Sequence, residues 1–594
     1  VRRTALSYRS SVPIATALRR VFAKGYKVAD LRADMMAGIV VGIVALPLSM
    51  ALAIAIGAPP QHGLYTAIVA GMAVALLGGC RFQVTGPTAA FVVILAPIVT
   101  KHGLSGLLVA GFFAGLMLVA MGLARMGSLI QYIPYPVTTG FTTGIATVIA
   151  TLQIKDVLGL QTGVMPDPYM EKILALWHAR TTLHLAELGV AAATLALLLV
   201  VPRVIKRIPA PLLAIGLVSL AAAGLHAFHP SFSVATIGSR FHTTVNGVEI
   251  AGIPSVMPTP AFPWGPKGFT FGLLRDLLPS AFAIAMLGAI ESLLSAVIAD
   301  GMTNTKHDPN AELVGLGIGN LLAPIFGGIA ATGALARTAT NIRTGARSPL
   351  ASVTHAIVVL LAILFLAPLV AYIPMASLAA LLLLVAWNMS EVHHFVGLVK
   401  IAPKSDVFVL VTCFLLTVFF DMVIAVSIGF VLAAILFMRR MSELTESTLQ
   451  LDSSQEGGLL ALPPNTILYE INGPLFFGAA QKAMGVLDEA RGSRFRVLII
   501  HLGRVPAMDA TGLVALEQAI LGILRTGKKV ILAGPLPRPH SIFQNAKLEA
   551  KHPGLSIAPD LVAATAVAEQ LGVQTANMPP PSSNPSTRTG HGAP

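Results

Sequence analysis

A chain of 594 residues that is 55% hydrophobic and only 11% charged, with mean hydropathy +0.78, is not a soluble globular protein, in which about 25% of residues are charged. The formal charge of +13 does not indicate nucleic-acid binding, because the basic residues gather at the ends of apolar runs and not on one face. Cys80 and Cys413 are far apart, in or beside apolar runs, which argues against a disulfide framework or a metal site.

Residues 1–34 carry eight Lys or Arg against two Asp, so they read as an amphipathic segment on the cytoplasmic surface. The first long apolar run starts near Met35 without a cleavage site, so no signal peptide is expected. Further runs follow to near residue 226, seven in all: 35–56, 62–78, 86–100, 104–122, 129–150, 186–201 and 209–226. A mixed stretch, 227–275, rich in Pro, Gly, His and Phe, reads as an ordered external loop. Seven runs then occupy 277–300, 312–327, 334–347, 349–370, 373–390, 403–420 and 421–438. An odd number per half inverts the second half relative to the first. Several runs are shorter than the ~20 residues a straight spanning helix needs. Arg203, Lys206 and Arg207 after the sixth run, and Arg439-Arg440 after the last, fall on the side of the N-terminus.

Two stretches interrupt this pattern. Residues 327–347, GGIAATGALARTATNIRTGAR, hold three arginines and an asparagine among apolar runs. A charge in a membrane interior costs at least ~2.5 kcal/mol and is usually functional. Thr332-Gly333 reads as a break that opens a helix, with Arg337 in its first turn. Free N–H groups, the positive end of the helix dipole and a guanidinium then converge where an anion can bind. Residues 78–90, GGCRFQVTGPTAA, repeat the device with Thr85-Gly86 and Pro87. Two interrupted segments in corresponding positions of two halves point to a binding site at the bilayer midplane.

Other polar residues are assigned as follows. Glu291 lies within an apolar run with no basic neighbour in sequence. Burial there penalises the charged carboxylate, so Glu291 is the expected proton-coupling residue. Arg343 and Arg347 suit a helix end, Asp300 and Glu312 the membrane interface, and Asn320 and Asn341 backbone satisfaction. His307, His355, His393 and His394 lack metal spacing. No nucleophile–base set, phosphate-binding loop or dinucleotide fingerprint is present, so neither an enzyme nor a cofactor is expected.

After Arg440 the chain becomes polar. Strand-like runs at 467–471, 496–502 and 529–532 alternate with helical patterns at 479–490, 511–524 and 561–571, an α/β unit. The expected organisation is a 1–34 segment, a 35–441 membrane domain, a 442–464 linker, a 465–576 α/β domain and a 577–594 Pro/Ser tail unable to fold.

The stretches ALPLSMALAIAIGAPPQHGLYTA (45–67), FQVTGPTAAFVVILAPI (82–98), 285–320 and 327–349 resemble the SulP/SLC26 anion transporter family, and the α/β unit resembles its STAS domain. The likeness covers residues 30–575. VAWNMSEVH (385–393) and the run 420–440 are similar to the bacterial DauA-type C4-dicarboxylic acid transporters. The resemblance implies an α-helical polytopic membrane protein of fourteen segments in a 7+7 inverted repeat, with core and gate domains, usually dimeric. It places the anion between the facing N-termini of the third and tenth segments. Gly86, Thr88 and Ala89 would line one side and Gly333, Ala336 and Arg337 the other. The first segment would contribute Leu48, which follows Pro47 where many animal members have glutamine. Ala336 stands where some relatives have serine. Sodium-coupled bicarbonate relatives carry Asp at the place of Glu291. The longer Glu, with Ser295 one turn on instead of Thr, favours protons. In the STAS unit, Ala510 replaces the serine phosphorylated in anti-sigma antagonist relatives, and Thr511 remains. The resulting expectation is proton symport of C4-dicarboxylates (succinate, fumarate, aspartate) into the cell across a bacterial inner membrane, with N-terminus and STAS domain cytoplasmic. The partners expected are a small anion, protons, the lipid bilayer, a second copy of the chain and a cytoplasmic protein on the STAS domain, but no nucleic acid. The alternatives are sulfate or bicarbonate transport, or an anion sensor signalling through STAS.

Overall fold

The computed structural model describes residues 13–128, 134–163, 165–166, 168–205, 209–245, 248–265, 268, 270–420, 422–443, 446–450, 462–490 and 495–576. The first twelve residues of the N-terminal segment, Lys206 and Arg207, most of the 442–464 linker and the 577–594 tail lie outside the described residues. Two compact units divide the chain, Val1–Val431 and Leu432–Pro594.

Among the described residues, ten helices are long and apolar enough to cross a membrane. The first segment, Val28–Ala55, starts before the boundary expected at residue 35. Its polar opening is stable because the Asp30 carboxylate accepts the Lys27 N–H at 3.1 Å, capping the first turn. The second segment is Pro60–Leu77. The third and fourth are the two parts of Ala89–Leu123, separated at Gly103, whose φ of +69° takes the backbone out of the helix. Tyr135–Leu158, Leu185–Val204 and Ala210–Phe228 complete the first half. The eighth to fourteenth segments are Phe271–Thr303, Pro309–Ile325, Leu335–Arg343, Leu350–Val370, Met375–Met389, Lys404–Phe419 and Met422–Glu443. The inversion is visible in the packing. The first segment packs on the eleventh as the eighth packs on the fourth, and the second packs on the eleventh as the ninth packs on the fourth.

Some elements differ from the sequence reading. Tyr169–His178 and Val392–Ile401 are extra short helices between segments, and the 227–275 stretch contains the antiparallel hairpin His242–Val245 with Val248–Ala251. Their four to ten residues are too few to stand out as apolar runs. Asp34 is fully buried and organises the turn after the tenth segment. It accepts the Arg347 N–H at 2.5 Å, the Ser348 N–H at 2.9 Å, the Ser348 hydroxyl and the Tyr26 phenol at 2.6 Å. Burial first, then this bond to Asp34, pushes the Tyr26 phenol up to about 12.

The second unit holds a five-stranded sheet in the order Glu446–Gln450, Thr466–Asn472, Val497–Arg504, Lys529–Ala533, Leu555–Ala558. The first pair is antiparallel and the others are parallel. Glu446–Gln450 falls inside the expected linker, where its polar composition hid an edge strand. Tyr469, Ile500, Leu516, Leu532 and Phe543 fill the core on one face of the sheet. The Asp509 carboxylate accepts the Gly512 N–H at 2.7 Å and so caps Ala510–Leu524.

Candidate anion site

Thr85–Gly86 and Thr332–Gly333 form a two-residue antiparallel ladder, Thr85 opposite Gly333 and Gly86 opposite Thr332. Ala334 extends it by donating its N–H to the Val84 carbonyl at 2.9 Å. The Val84 N–H goes to the Thr338 hydroxyl at 3.1 Å, and the Thr332 hydroxyl to the Gly288 carbonyl at 2.8 Å. The breaks in the two halves therefore satisfy each other's backbone, which non-helical chain at membrane depth requires. A half-helix opens directly after each strand, one with the turn Ala89–Phe91 and the other with Leu335–Arg343. The first N–H groups of each lack partners within their own helix, so two positive helix ends lie beside one ladder.

Arg337 joins the two breaks. It is 2% exposed, and its Nη2 donates to the Pro87 carbonyl across the ladder. Its Nε and Nη1 are buried and have no hydrogen-bond partner among the described residues. A Cβ on Gly86 would lie 2.6 Å from Nη1, so the backbone of the third segment comes against the guanidinium only because residue 86 has no side chain. The Thr88 hydroxyl donates to Glu291 Oε2 at 2.8 Å and ties the same break to the eighth segment. Gly86, Thr88, Glu291, Gly333 and Arg337 are thus brought together. Ala89 is buried at the start of its turn. Ala336 is exposed although its neighbour Arg337 is buried, and half-buried Leu48 brings no polar group.

The sequence reading missed the support behind this cradle. Glu312, expected at the interface, is 1% exposed. Its Oε2 accepts the N–H groups of Gly79 and Cys80, each at 2.8 Å, and its Oε1 accepts from Gln83 Nε2 at 2.7 Å. Gln83 Nε2 also lies 2.5 Å from the Ser292 hydroxyl. Gly333 is packed against this amide, since a Cβ there would meet Gln83 Nε2 at 2.3 Å. The Gly78-Gly79 pair was the available signal: unwound backbone in a membrane needs an acceptor, and Glu312 supplies it. Asn320 brackets Ala331 with two 2.8 Å bonds, and Asn341 donates to the Phe82 carbonyl at 2.9 Å. Arg343 and Arg347 are exposed.

The chain matches the sulfate permease family over residues 31–413 and the STAS domain over residues 460–564. It is 40% identical over 527 residues to "Putative sulfate transporter YvdB" of Bacillus subtilis (strain 168), covering 88% of this chain and 95% of that protein. It is 30% identical over 543 residues to the bicarbonate transporter BicA of Picosynechococcus sp. (strain ATCC 27264 / PCC 7002 / PR-6), covering 87% and 91%. Among solved structures, that of SLC26A9 superposes with a TM-score of 0.79 at 18% identity over 95% of this chain and 94% of that one, a likeness of fold.

Proposed function

The chain belongs to the sulfate permease family, and from that premise we propose that it is a secondary transporter of a small inorganic oxyanion, sulfate before bicarbonate. The observation that carries this reading is the buried Arg337 guanidinium, with Nε and Nη1 unmatched, beside two half-helix N-termini. A bound oxyanion would complete those donors with charge-assisted bonds, and a planar fork suits two oxygens of one anion. The relatives named above favour sulfate or bicarbonate over the C4-dicarboxylate expected from sequence.

Glu291 serves as the coupling group in this reading. Its carboxylate sits within electrostatic range of Arg337 and accepts from Thr88, so it competes with an incoming anion for the same positive environment. A proton on Glu291 removes that competition, and proton and anion then assist each other's binding. The N-terminus and the STAS domain lie in the cytoplasm, an orientation supported by the basic 1–34 segment and Arg439-Arg440.

The test is radiolabelled sulfate uptake into proteoliposomes, with bicarbonate and succinate as competitors. Saturable sulfate uptake, displaced by bicarbonate more than by succinate and abolished in Arg337→Ala, is the expected result. Succinate uptake that sulfate does not inhibit would reverse the substrate assignment. Undiminished sulfate affinity in Arg337→Ala would remove Arg337 from the site.

A further inference from the structure

A second cluster of cations lies away from the cradle. The helix Thr16–Ala23 docks on the end of the second segment through Ala15, whose N–H reaches the Leu77 carbonyl at 2.7 Å. Between this helix, the stretch joining the second and third segments and the turn joining the eighth and ninth is a cavity of about 370 Å³. Its lining includes Arg20, Lys24, Arg81, Lys306 and His307, and no carboxylate among the described residues. By the orientation proposed above, this is the cytoplasmic face.

The site is built and partly pre-ordered. Arg81 is fixed by its Nε, which donates to the Arg347 carbonyl at 2.5 Å, and by its contact with the Phe82 ring. Arg20 donates to the Lys306 carbonyl at 3.1 Å and approaches Asp308 only to 3.9 Å. Asp300 shapes the turn by accepting the His307 N–H at 2.9 Å, the Thr305 hydroxyl at 3.0 Å and His307 Nδ1 at 2.7 Å. The His307 side chain is 5% exposed, and its Nε2 is buried with no partner among the described residues. Nδ1 is taken up by the Asp300 carboxylate, so Nε2 is the ring atom left for a ligand, and in the tautomer with the proton on Nδ1 it accepts. Four cations attract an oxyanion, while a lone-pair nitrogen among them asks for a hydroxyl proton on that same anion. Inorganic phosphate carries both features at neutral pH, because its dianion keeps one P–OH; a monoester, whose second pKa is ~6, carries both as its monoanion. Sulfate carries only the first.

We propose that this cavity binds a phosphate group bearing an ionisable P–OH, independently of the transport cradle. The chemistry is common to soluble phosphate and to the headgroup of phosphatidic acid, and basic pockets on cytoplasmic membrane faces take lipid headgroups. The experiment uses the full chain with Arg337→Ala, which disables the cradle. Binding of radiolabelled orthophosphate is measured in detergent, and enrichment of labelled phosphatidic acid is measured in phosphatidylcholine nanodiscs. Saturable orthophosphate binding that excess sulfate does not displace supports a soluble ligand. Phosphatidic acid enrichment without orthophosphate binding supports a lipid. In either case Lys24→Gln/Lys306→Gln, two exposed substitutions, lowers affinity at least ~10-fold, and His307→Phe, which removes the acceptor, lowers it while leaving the four cations. Cooperative melting of each variant serves as the folding control. Absence of both binding modes, affinity undiminished in these folded variants, or full displacement by sulfate overturns the proposal.

Discussion

Gly86→Ala isolates the contact on which the oxyanion reading depends. The added methyl would lie 2.6 Å from Arg337 Nη1, and ordinary contact begins near 3.4 Å. The guanidinium must therefore retreat by about 0.8 Å, the difference between those distances. The obstructed group is the far end of a long side chain, so the fold should tolerate the change, but the donors leave their place at the ladder. Loss of one charge-assisted hydrogen bond costs about 1.5–3 kcal/mol, or roughly 10- to 150-fold in affinity. Sulfate KM in proteoliposomes should rise within that range while the melting temperature in detergent stays within a few degrees of the parent. Gly333→Ala provides the contrast. Its methyl would meet Gln83 Nε2 at 2.3 Å and the Ser292 Cα at 3.0 Å, a backbone atom, so it should lower both stability and transport. An unchanged sulfate KM in a folded Gly86→Ala protein would refute the placement of Arg337 against the substrate.

Further outcomes follow from other contacts. Glu291→Gln, which mimics the protonated side chain, should retain sulfate counterflow at equal concentrations but lose uphill accumulation driven by a pH gradient; sodium-driven accumulation in the parent would exclude this role. Asp34→Asn weakens the acceptor for two N–H groups and two hydroxyls in a buried site and should cost about 2–4 kcal/mol, read as an earlier thermal transition. Deleting residues 442–594 should change uptake rate or protein level and leave the ratio of sulfate to bicarbonate uptake unaltered; an altered ratio would give the STAS unit a part in selectivity.

The segments were legible because their signals are local. Apolar runs and punctuating glycines suffice, and the gap between the runs at 86–100 and 104–122 marked the break at Gly103. The paired Thr-Gly motifs likewise pointed to the two strands that pair across the repeats. What the sequence hid is long-range partnership. Glu312 beside a loop looks interfacial until its two N–H partners, more than 230 positions earlier in the chain, are known. Asp34 looked like part of a polar leader, yet its oxygens close a turn more than 310 residues away. The strand Glu446–Gln450 was missed for a related reason: an edge strand needs little apolar content, and its identity comes from the neighbour it pairs with.

The single guanidinium in the cradle also has an electrical consequence. The device is repeated in both halves, but Arg337 has no counterpart in the first, where residues 85–90 read TGPTAA. On the proposed reading, the site that changes sides pairs one fixed positive charge, Arg337, with one carboxyl that takes up the proton, Glu291, while Glu312 stays bonded to Gly79, Cys80 and Gln83 behind it. Empty and deprotonated, that pair would be neutral and would add no voltage dependence to the return step. Loaded with sulfate and one proton, it carries one net negative charge. An inside-negative potential would then oppose this loaded step by about 2.3 kcal/mol per 100 mV. Bicarbonate entering with one proton would move no net charge, so the current carried during uptake would distinguish the two anions without a labelled substrate.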